Sequence, residues 1–156
     1  MNHLRTTILM LVASATLGLS APPAGSASGP QVIKLTWIQT SSHANGQRAS
    51  WTSQLFNATA QFAKPVGAKV GAEVGISHGA QFVGGIKLPG GILTYSGKVT
   101  RLAHQGGIVV PIVEGSGTFA GATGTYTRSV GAGTTTVVIR LQYGSEGKGR
   151  SRGHSS

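Results

Sequence analysis

"GSGTFAGATG", residues 115–124, sets four glycines around one large aromatic, Phe119, between two runs that read as strands. Glycine in this density serves either a phosphate cradle or a tight corner in a sheet. "GSGTFA" satisfies a loose G-x-G-x-x-G/A pattern behind an apolar strand, and a dinucleotide site would then require a helix whose N-terminus holds the pyrophosphate. The residues that follow, "GATGTYTRSVGAG", are β-branched, aromatic and glycine-rich, and cannot build that helix. No acid stands about twenty residues on to meet a ribose hydroxyl. The stretch therefore reads as a corner. Gly115, Gly117 and Gly121 allow positive φ and bulged strand ends, and Phe119 plugs the end of a barrel.

Outward from this corner, glycines are scattered evenly and long Ala/Leu/Glu/Lys runs are absent, which disfavours helix throughout. Eight strands are expected: Val32–Gln39, Ser50–Asn57, Lys69–Ser77, Ala80–Leu88, Ile92–Leu102, Ile108–Glu114, Gly124–Val130 and Thr134–Tyr143. Asn45-Gly46, His78-Gly79, "PGG" at 89–91 and "GAG" at 131–133 supply turn chemistry between them. Eight short strands with regular turns predict an all-β fold, a sandwich or a barrel, the barrel being an eight-stranded antiparallel β-barrel of calycin-like form. An eight-strand interior is just filled, or holds one small ligand. Strict alternation places Val70, Val74, Phe82, Ile86, Leu93, Tyr95, Ile108, Val110, Ile112, Val137, Ile139 and Leu141 inward. Pro111, mid-strand, belongs at an edge or a bulge.

The chain has 156 residues, a length for one domain. Residues 1–27 read as a secretory signal: Arg5, an apolar core Ile8–Leu19, then "APPAGSAS" with small residues for cleavage after Ala27. This predicts a secreted protein with a barrel over 28–143. The segment 144–156, "GSEGKGRSRGHSS" from Gly144 on, has no apolar residue and reads as a disordered basic tail. The chain has no cysteine, which removes disulfides, thiol catalysis and thiolate metal sites together. Thirteen Lys and Arg face three acids, Glu73, Glu114 and Glu146, for a formal charge of +10. Such a chain is drawn to anionic wall polymers or membrane surfaces. Its cations are spread singly, which argues against a specific nucleic-acid partner.

"VEGSGTFAGATGTY" (113–126) resembles the G-G-T-G-x-F-x-G-A-R-G segment of the dirigent and allene oxide cyclase-like barrels, and "LPGGILTYSGKV" (88–99) resembles the preceding hairpin of its secreted bacterial members. The resemblance spans Val66–Leu141 and departs at Glu114 and Thr123, where the family more often has glycine and arginine. It implies a cofactor-free eight-stranded barrel with a ligand-sized cavity, whose plant members are often trimers; a homo-oligomer, dimer or trimer, is an open expectation for this chain. Its activities are cyclisation of a lipid epoxide, or guidance of coupling between phenoxy radicals. No catalytic residue of either group maps onto this chain, so the chemistry does not transfer with the fold.

Glu114 shares parity with Ile108, Val110 and Ile112 and is the candidate acid–base residue if it points inward; the competing reading is an exposed strand-end glutamate. Arg128 shares parity with Tyr126 and is the second catalytic candidate. Tyr95, Tyr126, Phe119, Trp37 and Phe82 are the candidate ligand contacts, for a small hydrophobic or phenolic molecule; the tyrosines are equally explained as core residues with satisfied hydroxyls. Trp37 and Trp51 both also read as wall packing. Glu73 is expected to face outward beside Lys69. His43, His78, His104 and His154 lack metal-ligand spacing, so no metal is expected. There is no aspartate and no G-x-S-x-G elbow, which argues against a hydrolase triad. "NAT" at Asn57–Thr59 is read as an incidental glycosylation sequon. Enzyme, carrier and cationic envelope protein all remain open at the level of sequence.

Overall fold

A computed structural model describes residues 31–102 and 107–144. The signal reading for 1–27, the turn at Ala103–Gly106 and the tail beyond Gly144 lie outside the described residues. The chain runs through β1 (Gln31–Asn45), β2 (Arg48–Asn57), β3 (Lys69–His78), β4 (Gln81–Leu88), β5 (Gly91–Lys98), β6 (Thr100–Leu102), β7 (Gly107–Gly115), β8 (Ala122–Gly131) and β9 (Thr134–Tyr143), with one 3-10 turn at Gly117–Phe119.

All pairings are antiparallel, in the order β5-β4-β3-β2-β1-β9-β8-β7-β6, and a further pairing of β5 with β7 closes the sheet on itself. β6 continues the line of β5 along β7, so nine strands make the eight staves of a closed barrel, the expected architecture. The closing seam is short: Leu93 faces Gly115, Thr94 faces Glu114 and Tyr95 faces Ile112. Val110 and Pro111 stand opposite the break between β5 and β6, and on their other side face Tyr126 and Thr125 of β8.

β1 is longer than expected. Its pairing with β2 continues to Asn45↔Arg48 across a register shift between Gln39 and Ser41, through residues that read as loop from their polarity. Two-residue loops with glycine in the left-handed region, Gly46 (φ 59°) and Gly79 (φ 57°), close the first and third hairpins as the turn signals require.

The interior is filled by inward side chains of every stave, with Ile33, Leu35, Leu55, Ile86, Leu93, Val110, Val137, Ile139 and Leu141 fully buried. One end is plugged by the opening motif. Phe119 is buried there, and the Ser116 and Thr118 N–H groups donate to the Ile92 and Gly90 carbonyls at 2.9 and 2.8 Å, clamping the 3-10 turn onto the β4–β5 hairpin. Gly117 (φ 63°) lies against the Gly90 carbonyl, where a Cβ would collide. The corner reading of the glycines therefore holds.

Two bulges break the expected alternation. In β3, Leu55 pairs with Gly71 but Phe56 pairs with Lys69, so Val70 is the extra residue. Val70 stays buried, and beyond it Gly71, Glu73 and Gly75 turn inward. Val74 and Ile76 are consequently 58 and 57 % exposed, which corrects the inward assignment of Val74, and Glu73 is 1 % exposed rather than on the surface beside Lys69. In β7, Ile112 pairs with Tyr95 and Glu114 with Thr94, making Val113 the extra residue. Glu114 thereby loses the parity of Ile112 and is exposed.

Candidate functional site

Glu73 sits in the barrel interior as the acceptor of five side chains from four neighbouring strands. Tyr95 Oη of β5 donates to Oε1 at 2.6 Å, and Trp51 Nε1 of β2 to the same oxygen at 3.1 Å. Trp37 Nε1 of β1 donates to Oε2 at 2.7 Å, and Ser53 Oγ of β2 at 3.3 Å. Tyr126 Oη of β8 lies 3.2 and 3.1 Å from the two oxygens. A carboxylate offers about four lone-pair sites, so the indole N–H groups, which can only donate, and the phenol and serine O–H groups all find an acceptor there. Burying an isolated carboxylate costs several kcal/mol. Hydrogen bonds to a charged acceptor contribute about 1.5–3 kcal/mol each, enough in this number to hold it there.

Glycine makes the room. Gly75 and Gly84 face each other across β3 and β4, and a Cβ on either would run into the Tyr95 phenol. At Gly75 it would also meet the Trp51 indole. The Tyr95 and Tyr126 rings stack with centroids 4.8 Å apart, both feeding the same carboxylate. Burial pushes both phenols far above their ordinary pKa, and the Glu73 charge adds to it; the Arg128 charge opposes but does not reverse the rise. Both tyrosines are thus core residues with satisfied hydroxyls at neutral pH.

Above this carboxylate, at the end opposite Phe119, a group of half-buried side chains forms the mouth of the barrel. The Arg128 guanidinium lies 5.0 Å from the Trp37 ring centroid and 5.2 Å from that of Trp51. Phe82 packs tilted against Trp51 at 5.4 Å. Trp37, Phe82 and Arg128 are half-buried. Planar indoles over a planar guanidinium combine cation–π attraction with stacking, and leave the remaining N–H donors free to meet a ligand oxygen.

Of the expected site residues, the structure brings Arg128, Tyr95, Tyr126, Trp37 and Phe82 to this end. It places Phe119 at the plugged end and Glu114 outside the wall. Sequence reasoning missed Glu73, Trp51 and Ser53. The inward series Gly71-x-Glu73-x-Gly75, small residues flanking an acid at period two, is the signal that could have shown Glu73 among large partners. Asn57, the sequon residue, is buried: its amide donates to the Gln61 and Lys64 carbonyls at 2.7 and 2.9 Å, so it serves the loop closing β2 and offers no glycan site in the folded chain.

Neither a protein-family model nor a curated protein matches the chain. Among solved structures it is similar to a pyocyanin demethylase, with a TM-score of 0.55 at 14 % identity over 72 % of this chain and 100 % of that one. At that identity the likeness carries the fold and nothing finer. Fold and site together define a closed antiparallel β-barrel with a donor-saturated carboxylate under an arginine–aromatic mouth.

Proposed function

We propose that this barrel binds a small, flat hydrophobic or phenolic molecule at its mouth, as an exported ligand-binding protein related in form to the dirigent and allene oxide cyclase-like barrels. The observation that carries the reading is the Arg128 guanidinium held against two indoles directly above a buried carboxylate. Trp37 and Phe82 offer aromatic faces to a ligand ring, and Arg128 offers donors to a phenolic or carboxylate oxygen. The lower half of the barrel is filled by aliphatic side chains, so the ligand occupies the mouth rather than the full lumen. Glu73 fixes the tilt of both indoles from below, which preorganises the mouth and lowers the ordering cost of binding. The likeness to a demethylase of pyocyanin makes that compound a reasonable first probe.

Trp37 and Trp51 are the two tryptophans of the chain, so intrinsic fluorescence reports on the mouth directly. Titration with 4-hydroxycinnamate and with pyocyanin is expected to quench it saturably, with affinity reduced about tenfold or more in Arg128→Ala, the loss of one charge-assisted contact. Absence of saturable quenching by both, or equal affinity of the variant, would overturn the reading.

A second reading has its own observation. With Glu73 buried, Glu114 is the one acid left on the outside among the described residues, and the outer wall is otherwise cationic. Such a surface suits adhesion to an anionic wall or membrane-surface polymer, with or without a ligand in the mouth.

A further inference from the structure

The outer face of β1–β4 carries a groove of about 550 Å³, separate from the mouth and on the opposite side of the wall from it. Its lining follows from strand register. His43, Ser50, Ile76 and Val83 stand abreast across the four strands, and Arg48, His78 and Gln81 form the next outward row. The intervening row points into the barrel. The Gly79 N–H donates to the Gln47 carbonyl at 2.9 Å, tying the β1–β2 turn to the β3–β4 turn and fixing the groove's width.

The chemistry of the groove is divided along its length. Ile76 and Val83 are directly paired and 57 and 44 % exposed, and Val74, 58 % exposed, extends the apolar strip along β3. Residues of this size are ordinarily found inside, and here the Val70 bulge has turned β3's aliphatic residues outward. At the turn end stand the Arg48 guanidinium and the His78 imidazole, the His43 imidazole lies on β1 in the same row as Ile76 and Val83, and the lining contains no acid. The volume falls within the ~300–1,000 Å³ of small-molecule sites.

We propose that this groove is a binding site for a single-chain anionic amphiphile, taken up as a monomer. Its carboxylate meets Arg48 and the His78 imidazole, and its hydrocarbon chain lies along Ile76, Val83 and Val74. Charge complementarity selects this occupant. A second copy of the chain presents the same cations and would set Arg48 against like charge.

The test is a titration of the purified, 15N-labelled protein with dodecanoate below its micellar concentration, beside dodecanol and dodecyltrimethylammonium. Dodecanoate is expected to shift amides around His43, Arg48, Ile76 and His78 saturably, and the cationic amphiphile to leave them unmoved. Arg48→Ala and Ile76→Ser, both at exposed positions, are each expected to weaken binding about tenfold while Trp37 and Trp51 fluorescence stays unchanged. Equal binding of the cation, no saturable shift, or shifts centred on the mouth would overturn the proposal. So would a ligand-free monomer–dimer equilibrium abolished by Ile76→Ser, or binding to anionic vesicles without binding to monomeric dodecanoate.

Discussion

At the scale of the residue, Glu73 governs the interior. Glu73→Gln keeps the shape but sets an amide NH2 against indole and phenol donors, so at least one buried donor loses its acceptor. The expected cost is about 2–4 kcal/mol, read as a lower urea midpoint at unchanged m-value. The phenols give a second expectation. Tyr95 and Tyr126 have folded-state pKa values raised above the unfolded value near 10. The folded state keeps their protons where the unfolded state releases them. Their contribution is therefore fully present below about pH 10 and is lost as pH rises beyond it, with a slope approaching 1.4 kcal/mol per pH unit for each tyrosine. Urea unfolding between pH 8 and 11 should show this fall, and Tyr95→Phe should roughly halve its slope. A stability that stays flat to pH 11 would mean the phenols are not held as described. None of this was legible from parity alone: the carboxylate looked like a surface partner of Lys69 because nothing local announces which residue of "KVGAEVG" is the extra one.

At the scale of the element, turn chemistry was the most readable feature and alternation the least durable. Asn45-Gly46, His78-Gly79 and Pro89-Gly90 mark loops because their backbone angles exclude most other residues, and that demand is local. Strand interiors answer to both neighbours, so one unpaired residue, Val70 or Val113, inverts everything beyond it. Glu114 takes the exposed strand-end position, the alternative to its inward parity, for that reason, while Tyr95, Tyr126 and Arg128 keep their parity because no bulge separates them from their inward neighbours. The β8–β9 loop tests the local rule. Ala132 holds φ 46° before Gly133 at 78°, a left-handed pair in a two-residue loop. Ala132→Asn supplies the residue that tolerates this conformation and should stabilise the barrel by about 0.5–1 kcal/mol, seen as a higher melting temperature. A fall in melting temperature would contradict the assigned turn.

At the scale of the whole molecule, the barrel sorts its few charges radially: one acid inside under Arg128, and eight other described cations against a single outward acid elsewhere. Retention on a heparin or polyphosphate resin at low ionic strength, with release as salt rises, is the expected behaviour. Passage through the resin at low salt would remove the adhesion reading. The strand count and closure were legible because eight staves of this length leave few other ways to bury so much Val, Ile and Leu. The direction of each wall face was not, since it depends on bulges.

The short β5–β7 seam carries its own consequence. Tyr95 is one of its three paired positions and stays tied to Glu73 through β4, whereas Tyr126 reaches the carboxylate from β8 beyond the seam, so a parting of that joint loosens the Tyr95–Tyr126 stack and the Tyr126 contact. Amide protons of Leu93–Tyr95 should accordingly trade with deuterium well before those of β8 and β9. The cylinder then behaves as a vessel with a hinged side panel, whose latch is the Tyr126 hydroxyl reaching its acidic centre from the far side of the joint.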